Sequence, residues 1–257
     1  MRYQYWLHAA IIVSSLFTQA ACTSLGQDVT RSSTVPPNVE TPGWESANRG
    51  IFLVNAGLDW AIVKPLARGY QAVTPEVVDE SVTHFFGNLS DVKTSVNALL
   101  QFKPRAAVTS AGRVVVNSTL GLAGFFDVAS KMNLKKYNED FGQTLARWGV
   151  PSGPYVMLPF LGPSTLRDAV GTVADGFVDP LNYSKYPAQL TAVKVIDKRA
   201  DLLSSEKALQ DLSDDQYSAL RDLWLQRRAY ELRDGVEDKA SAEKKDDMID
   251  LLESLDE

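Results

Sequence analysis

Residues 89–120 read LSDVKTSVNALLQFKPRAAVTSAGRVVVNSTL, and this stretch decides the fold class. Leu89, Val92, Val96 and Leu99 recur at steps of three or four residues, which is the spacing of one face of an α-helix. Pro104 suits the first turn of a second helix. The apolar residues after this proline are Ala107, Val108, Ala111, Val114, Val115 and Leu120. The stretch therefore predicts two consecutive helices.

The same spacing recurs elsewhere in the chain. Apolar residues from Ile51 to Leu66 again follow helical steps, with Pro65 as an expected kink or break. Gly87 predicts a break between secondary-structure elements, ahead of a helix that starts near Leu89. Asp214 or Asp215 is the expected N-cap of a late helix. No alternating strand pattern persists across the body of the chain, so we predict a mostly α protein.

Composition and charge exclude one class of partner. The 257 residues are 45% hydrophobic and 23% charged, which is ordinary for a globular protein with a sizeable core. The formal net charge is -6, and residues 231–257 hold eleven acidic and four basic side chains. Since the remainder has no basic surface to neutralise phosphates, nucleic acid is not an expected partner. Residues 235–257 are predicted to be an acidic, flexible tail.

The N-terminus has the pattern of an export signal. Arg2 precedes an apolar run that is too short to span a bilayer, and Ala20 and Ala21 lead into Cys22, the only cysteine. In bacterial lipoproteins the cysteine at this place is acylated, so we predict a signal peptide over residues 1–21 and a lipid on Cys22. Gln19 departs from the usual lipoprotein pattern, and an ordinary signal peptide is the alternative.

Two later regions differ in composition from the helices. Residues 22–43 are rich in Ser, Thr, Pro and Gly, which predicts an extended tether between the lipid and a helical domain of residues 44–234. Gly121–Phe126 combines glycine with large apolar residues, and Gly149–Leu166 adds several prolines, so no long helix is expected in the second segment. Because Gly149–Leu166 is too apolar for a surface loop, we expect it to line a cavity or to contact lipid.

Residues that could support catalysis are few. His84 is the only histidine after the predicted signal peptide, and the sequence contains no zinc-site spacing, no Gly-x-Ser-x-Gly elbow and no phosphate-binding loop. We therefore predict no catalytic residue, metal or cofactor. One alternative stays open, an envelope lipid hydrolase with Ser118 or Ser164 as nucleophile and a base nearby.

Several long motifs resemble the MlaA (VacJ) family of outer-membrane lipoproteins. The similarity covers roughly Trp44 to Asp234. Its motifs are Trp44–Arg49, Asn117–Ala129, Glu139–Leu145, Trp148–Val150, Gly153–Tyr155, Leu158–Pro159 and Gly162–Asp168.

The resemblance implies a ring-like helical bundle with amphipathic, membrane-embedded segments and a central channel. The bundle would lie on the periplasmic side of the outer membrane. Phospholipids misplaced in the outer leaflet would pass through the channel to a soluble periplasmic carrier, and porin trimers would be partners. A structural porin-associated lipoprotein is the remaining alternative.

Two sets of motif residues are candidates for this function. Polar residues isolated in apolar stretches are candidates for lining the channel or contacting lipid, and each could equally be a helix cap or a buried structural hydrogen-bond partner: Asn117, Asp127, Gln143, Arg167 and Asp168. Glycines in the same motifs are expected to shape turns or a mobile hairpin: Gly121, Gly124, Gly149, Gly153 and Gly162.

Overall fold

The structure is a computed structural model that describes residues 42–206 and 215–236. The predicted signal peptide, Cys22, nearly all of the tether and the tail beyond Val236 lie outside the described residues.

Helices account for most of the described chain. In order, the elements are α1 (Pro42–Leu58), a π-helical turn (Asp59–Val63), α2 (Lys64–Val73), α3 (Glu76–Leu100), α4 (Pro104–Thr119), α5 (Val128–Lys131), α6 (Phe141–Arg147), β1 (Tyr155–Leu158), β2 (Gly162–Thr165), α7 (Leu166–Asp175), a 3-10 turn (Pro180–Tyr183), α8 (Pro187–Asp201) and α9 (Gln216–Leu232).

Local capping explains where several helices begin. The Asp140 carboxylate accepts the backbone N–H of Gln143 at the start of α6, and Thr165 accepts that of Asp168 at the start of α7. Asp215 does the same for α9, as predicted. Pro104 stands in the first turn of α4, also as predicted, where its missing N–H costs no helical hydrogen bond.

One expected break is absent, and another site is altered without ending the helix. Pro65 was expected to kink or break the first helix; a π-helical turn precedes it, in which the backbone N–H of Lys64 bonds to the carbonyl of Asp59, and the chain stays helical to Val73. Gly87 lies inside α3, which runs unbroken from Glu76 to Leu100. Packing against α4 stabilises α3 on both sides of this glycine, so the prediction of a break at Gly87 is wrong.

The Gly149–Leu166 segment contains a β-hairpin. Strands β1 and β2 are antiparallel, with Tyr155 opposite Thr165 and Leu158 opposite Gly162. As predicted, no long helix forms here. The positions of the strands were not predicted, because each strand has only four residues, which is too short for alternation to be recognised, and Pro163 indicates a break rather than a strand.

The distribution of polar and apolar residues is the reverse of that in a soluble protein. Among the described residues, 12 hydrophobic and 19 polar or charged residues are buried, and six of those 12 are alanines. Large hydrophobic residues are exposed at 36 described positions. A polar interior inside an apolar exterior is typical of a protein that lies in lipid.

Candidate functional site

A charged cavity of about 500 Å³ lies among α3, α7, α8 and α9. Charged residues form much of its wall: Lys93, Asp140, Asp168, Asp175, Asp179, Lys194, Arg227, Arg228 and Glu231. Such a wall is suited to a polar or charged ligand group rather than to a hydrocarbon.

Arg228 of α9 is the central ion-pair partner in this wall. Its guanidinium donates to the Asp140 carboxylate at 2.7 and 2.8 Å and to the Asp168 carboxylate at 2.9 and 3.1 Å. Burial alone would raise the pKa of Asp140, but the hydrogen bonds and charge of Arg228 outweigh it and hold that pKa below its usual value. One arginine thus joins α9 to the starts of α6 and α7.

Two glycines let α6 and α7 approach closely enough for this pairing. A Cβ atom on Gly142 would lie 2.4 Å from the Asp168 carboxylate, and one on Gly171 would lie 2.5 Å from the backbone nitrogen of Gly142. The sequence analysis did not single out either glycine, although both lie in or beside the quoted motifs. Their spacing carries no periodic signal, so only the packed structure identifies them.

Asp175, at the end of α7, holds a second network in the same wall. Its carboxylate accepts from the Asn97 side chain at 2.7 Å and from the backbone N–H of Phe141 at 3.2 Å. The ammonium nitrogen of Lys93 lies 3.7 Å from the Asp175 Oδ2. Burial raises the pKa of Asp175 despite these partners. The network ties α3 to α6 and α7.

An apolar cavity of about 380 Å³ adjoins the charged one. Most of its wall is hydrophobic, formed by Phe52, Ala56, Met157, Leu202, Ala219, Leu220 and Leu223. Arg199, which pairs with Asp59 and Glu206, forms a charged margin. Pro163 of β2 lines both cavities. On α9, the consecutive residues Leu223 and Trp224 line the apolar and the charged cavity respectively. A charged and an apolar compartment therefore meet at the hairpin.

Two asparagines of α1 hold the free edge of β1. The Asn48 amide donates to the carbonyl of Tyr155 at 3.1 Å and accepts from the N–H of Met157 at 2.8 Å. Seven residues later, Asn55 donates to the carbonyl of Leu158 and accepts from the N–H of Phe160, both at 2.9 Å. The two side chains make the hydrogen bonds that a third strand would make, and they hold the hairpin against α1. The sequence analysis missed both.

Asn117 and Asp127 lie in a network around Arg113. Arg113 donates to both oxygens of Asp127 at 2.9 and 3.0 Å, and Asn117 donates to one of them at 3.0 Å. Asp127 also caps α5. Neither residue lines the charged cavity. Their geometry is that of caps and structural hydrogen bonds, and a channel role for them stays a prediction.

Gln143, Arg167 and Asp168 are buried near the charged cavity. Asp168 lines it, whereas the Gln143 amide donates to the carbonyl of Asn138 at 3.1 Å. The Nε of Arg167 donates to Asp168 at 3.1 Å. The structure thus brings these three predicted residues together through α6 and α7, and it leaves Asn117 and Asp127 apart from them.

The predicted glycines occupy turns. Gly162 has φ +82° where the chain enters β2, and Gly124 has φ +94° in the turn between α4 and α5. Gly149 and Gly153 have positive φ on the way to β1. Gly121 is required for space instead, because a Cβ atom there would lie 2.2 Å from the carbonyl oxygen of Phe126. Whether any of them serves a moving hairpin stays a prediction.

The residues of the hydrolase alternative are not arranged as a nucleophile and its base. Ser118 accepts from Asn88 at 3.0 Å, and Ser164 donates to the carbonyl of Thr165 at 3.1 Å. His84 lines a separate cavity with Phe125 and Phe126. Across residues 42–206 and 215–236, His84 forms no hydrogen bond with either serine, and no cluster of metal-binding side chains is found.

Comparison with known proteins identifies the family. The model of the family described as MlaA lipoprotein matches residues 41–231. The chain belongs to the MlaA lipoprotein family. Its mostly α fold, predicted from helical spacing, is confirmed. A solved structure described as the structural basis for maintenance of bacterial outer membrane lipid asymmetry matches with a TM-score of 0.66 and 34% identity. That match covers 73% of this chain and 97% of the solved one.

Relatives in the MlaA family come from several bacteria. The Escherichia coli intermembrane phospholipid transport system lipoprotein MlaA is 36% identical over 192 residues, which is 72% of this chain and 76% of that protein. The Haemophilus influenzae protein of the same description is 28% identical and covers 82% of this chain and 86% of its own length. A Rickettsia bellii protein is 34% identical over 220 residues, which is 82% of this chain and 86% of that protein.

Proposed function

We propose that this MlaA-family protein removes misplaced phospholipids from the outer leaflet of the outer membrane and passes them toward a soluble periplasmic carrier. The observation that carries this proposal is the meeting of a charged and an apolar cavity at Pro163. A phospholipid has one charged end and two apolar chains, and it needs both environments side by side.

The physical need for such a path is the cost of moving a headgroup through hydrocarbon. Desolvating a charged group without partners costs several kcal/mol or more. A protein that offers charged side chains to the headgroup and an apolar wall to the acyl chains reduces this cost without covalent chemistry. The proposal therefore needs no catalytic residue, and the placement of Ser118, Ser164 and His84 supports a non-enzymatic role.

The exterior supports a position within the membrane. The helical stretch Gly43–Val73 has 31 residues; its most apolar 18-residue window has a mean hydropathy of 1.3, and only 6% of that window is buried. By length and composition it could cross a membrane. Trp60 on this stretch is 75% exposed, and Phe160 and Leu161 at the hairpin tip are also exposed. These side chains would contact acyl chains in the periplasmic leaflet of the outer membrane.

The remaining parts of the proposal concern anchoring and partners. Acylation of Cys22 would hold the protein at the outer membrane on the periplasmic side, since more than one acyl chain anchors stably. Porin trimers are the proposed partners of the apolar exterior, and the soluble carrier is the proposed acceptor on the periplasmic side. The relatives' description as parts of an intermembrane phospholipid transport system supports this assignment.

The test is complementation of a gene deletion with a variant whose apolar cavity is filled. Ala219→Trp places a large side chain in the wall of that cavity, and Ala192→Trp places one at an exposed position of α8 as the matched control. We expect outer-leaflet phospholipid, labelled with an impermeant amine reagent, to rise in the deletion strain and with Ala219→Trp but not with Ala192→Trp. Unchanged labelling in the deletion strain would contradict the proposal and favour a purely structural porin-associated role.

A further inference from the structure

Two lysines of α8 face the cavity region without an acidic partner. Lys194 and Lys198 are one helical turn apart, and Lys194 lines the charged cavity. Within the part of the chain that the structure describes, neither ammonium group has a carboxylate within 4.0 Å. Carboxylates attract these lysines from beyond that distance, Asp179 acting on Lys194 and Asp197 and Asp201 acting on Lys198. Lysines that are not held in an ion pair remain able to bind an anion.

Cations from two other helices line the same cavity. Lys93 of α3 and Arg227 of α9 stand in its wall with Lys194, Lys93 being 3.7 Å from the Asp175 carboxylate and Arg227 being paired with Glu231. Burial lowers the pKa of both Lys194 and Lys198, and the charge of Lys93 lowers both further. Lys198 does not line the cavity itself, but it is exposed to water one helical turn from Lys194.

The acidic groups of the cavity are already engaged. Asp140 and Asp168 pair with Arg228, and Asp175 accepts from Asn97 and from the backbone of Phe141. Glu231 pairs with Arg227. Asp179 caps the 3-10 turn by accepting from the N–H of Leu181 at 3.0 Å. Asp179 acts on Lys194 only from beyond ion-pair distance, so both lysines stay available to a ligand.

We propose that Lys194 and Lys198, with Lys93 across the cavity, bind the phosphodiester of a phospholipid headgroup. The inference rests on the proposed function and adds the site at which the headgroup is held. An ammonium group binds phosphate as a compact point charge, and several converging ammonium groups replace the water that the phosphate loses. The apolar cavity beyond Pro163 selects a phosphate that carries acyl chains over free phosphate.

The test is photo-crosslinking of the purified full-length protein in detergent with two phosphatidylethanolamine probes. One probe carries a diazirine in the headgroup and the other carries it at the end of an acyl chain. The variants are Lys194→Glu/Lys198→Glu and the milder Lys194→Gln/Lys198→Gln. Lys185→Glu is the matched control, because Lys185 is an exposed lysine that precedes α8 and lines neither cavity.

We expect the headgroup probe to lose about tenfold of its crosslinking in both double variants, as for the loss of charge-assisted hydrogen bonds. The acyl probe should change by less than about twofold, and Lys185→Glu should match the wild type in both yields. Thermal melting followed by circular dichroism identifies a variant that has lost its fold. The glutamine pair, which adds no charge, then decides the result.

Three outcomes count against the inference, and they differ from one another. Failure of both probes to crosslink to the wild type would overturn the proposed function together with the inference. Crosslinking of both probes that is unaffected by either double variant would overturn the lysine site alone. Displacement of the headgroup probe by inorganic phosphate at the same concentration as competing lipid would show a free-phosphate site and overturn the assignment to a lipid.

Discussion

Arg113 of α4 and Asp91 of α3 form an ion pair of 3.0 Å in which each side chain is only 1% exposed. Arg113 also reaches Asp127, Ser130 and the carbonyl of Leu134, so the pair ties α3 and α4 to the segment around α5. In a soluble protein of this size, the center of a helix pair would be apolar. Here α3 and α4 are joined by a hydrogen-bonded pair of charged side chains.

Replacing Arg113 is expected to destabilise the protein strongly. Arg113→Met leaves Asp91 buried without its partner, and breaking a buried pair on one side costs about 3–5 kcal/mol of unfolding free energy. Chemical unfolding in detergent measures the loss. Arg105→Met, on an exposed position of the same helix, is the control and should change stability by less than about 0.5 kcal/mol. Equal effects of the two substitutions would contradict the role of the pair.

Asp127 is expected to contribute a pH-dependent part of the stability. Burial opposes its ionisation, but hydrogen bonds from Ser130 and Arg113 prevail and lower the pKa of Asp127 well below its usual value. A carboxyl group with a lowered pKa in the folded state stabilises above its unfolded pKa of about 3.9, and this contribution is lost as pH falls toward the folded value. Urea unfolding at pH 5 and pH 3 should therefore show a smaller loss on acidification for Asp127→Asn than for the wild type. An identical loss would exclude Asp127 as the source.

A methyl group on Gly142 is expected to disrupt the contact between α6 and α7. Gly142→Ala directs a Cβ atom to 2.4 Å from Asp168 and 2.6 Å from Arg228, so the ion pair must shift. We expect a loss of about 1–3 kcal/mol, as for overpacking in a core. Gly112→Ala is the matched control, since Gly112 lies in α4 with nothing within 4 Å of the added atom, and it should be neutral or stabilising. Thermal melting measures both.

Asn55 is expected to protect the tip of the hairpin. Asn55→Ala removes the acceptor of the Phe160 N–H and the donor to the Leu158 carbonyl. Hydrogen exchange of the Phe160 amide should become about tenfold faster or more, because this N–H then relies on solvent. Asn182→Ala removes a side-chain bond to the carbonyl of Gly176 and serves as the control. Unchanged exchange at Phe160 would show that another contact holds the tip.

Cys22 is expected to determine where the protein resides. Cys22→Ser removes the acyl anchor and, with it, the lipoprotein processing of the signal peptide. Membrane fractionation should then show less protein in the outer membrane and an unprocessed precursor. Cleavage of Cys22→Ser at the normal rate would indicate an ordinary signal peptide, the alternative that Gln19 leaves open.

The sequence predicted the parts of this fold that depend on local spacing. The helices around Leu89–Leu99 and after Pro104, and the cap at Asp215, follow from periodicity and capping chemistry. Gly87 was misread because packing of α3 against α4 outweighs a local breaker, whereas Pro65 does follow a π-helical alteration of the helix. The glycines predicted turns or a hairpin, but the two strands were not located because they are short and include Pro163.

The site was less accessible from sequence than the fold. Asp168 was selected because it is polar within an apolar motif, and it does line the charged cavity. Lys194 and Lys198 gave no such signal, since a lysine on a helix is ordinarily a solvated surface residue. Asn55 is a polar residue in the apolar run Ile51–Leu58, a signal that could have identified it, whereas Asn48 lies beside other polar residues. Their partners on β1 are more than 100 residues away, and only folding brings them together.

The polar interior and apolar exterior have a consequence for the substitutions that the protein can tolerate. Its lipid-facing positions should accept exchanges among Leu, Val, Ile and Phe freely, because hydrocarbon imposes no shape on them. Its buried positions should accept few, since groups such as Arg113 and Arg228 bond there to specific carboxylates. In a complete substitution scan, tolerance at buried positions should depend on hydrogen-bonding chemistry, and tolerance at exposed positions should depend only on hydrophobicity. A water-soluble domain would show the opposite pattern.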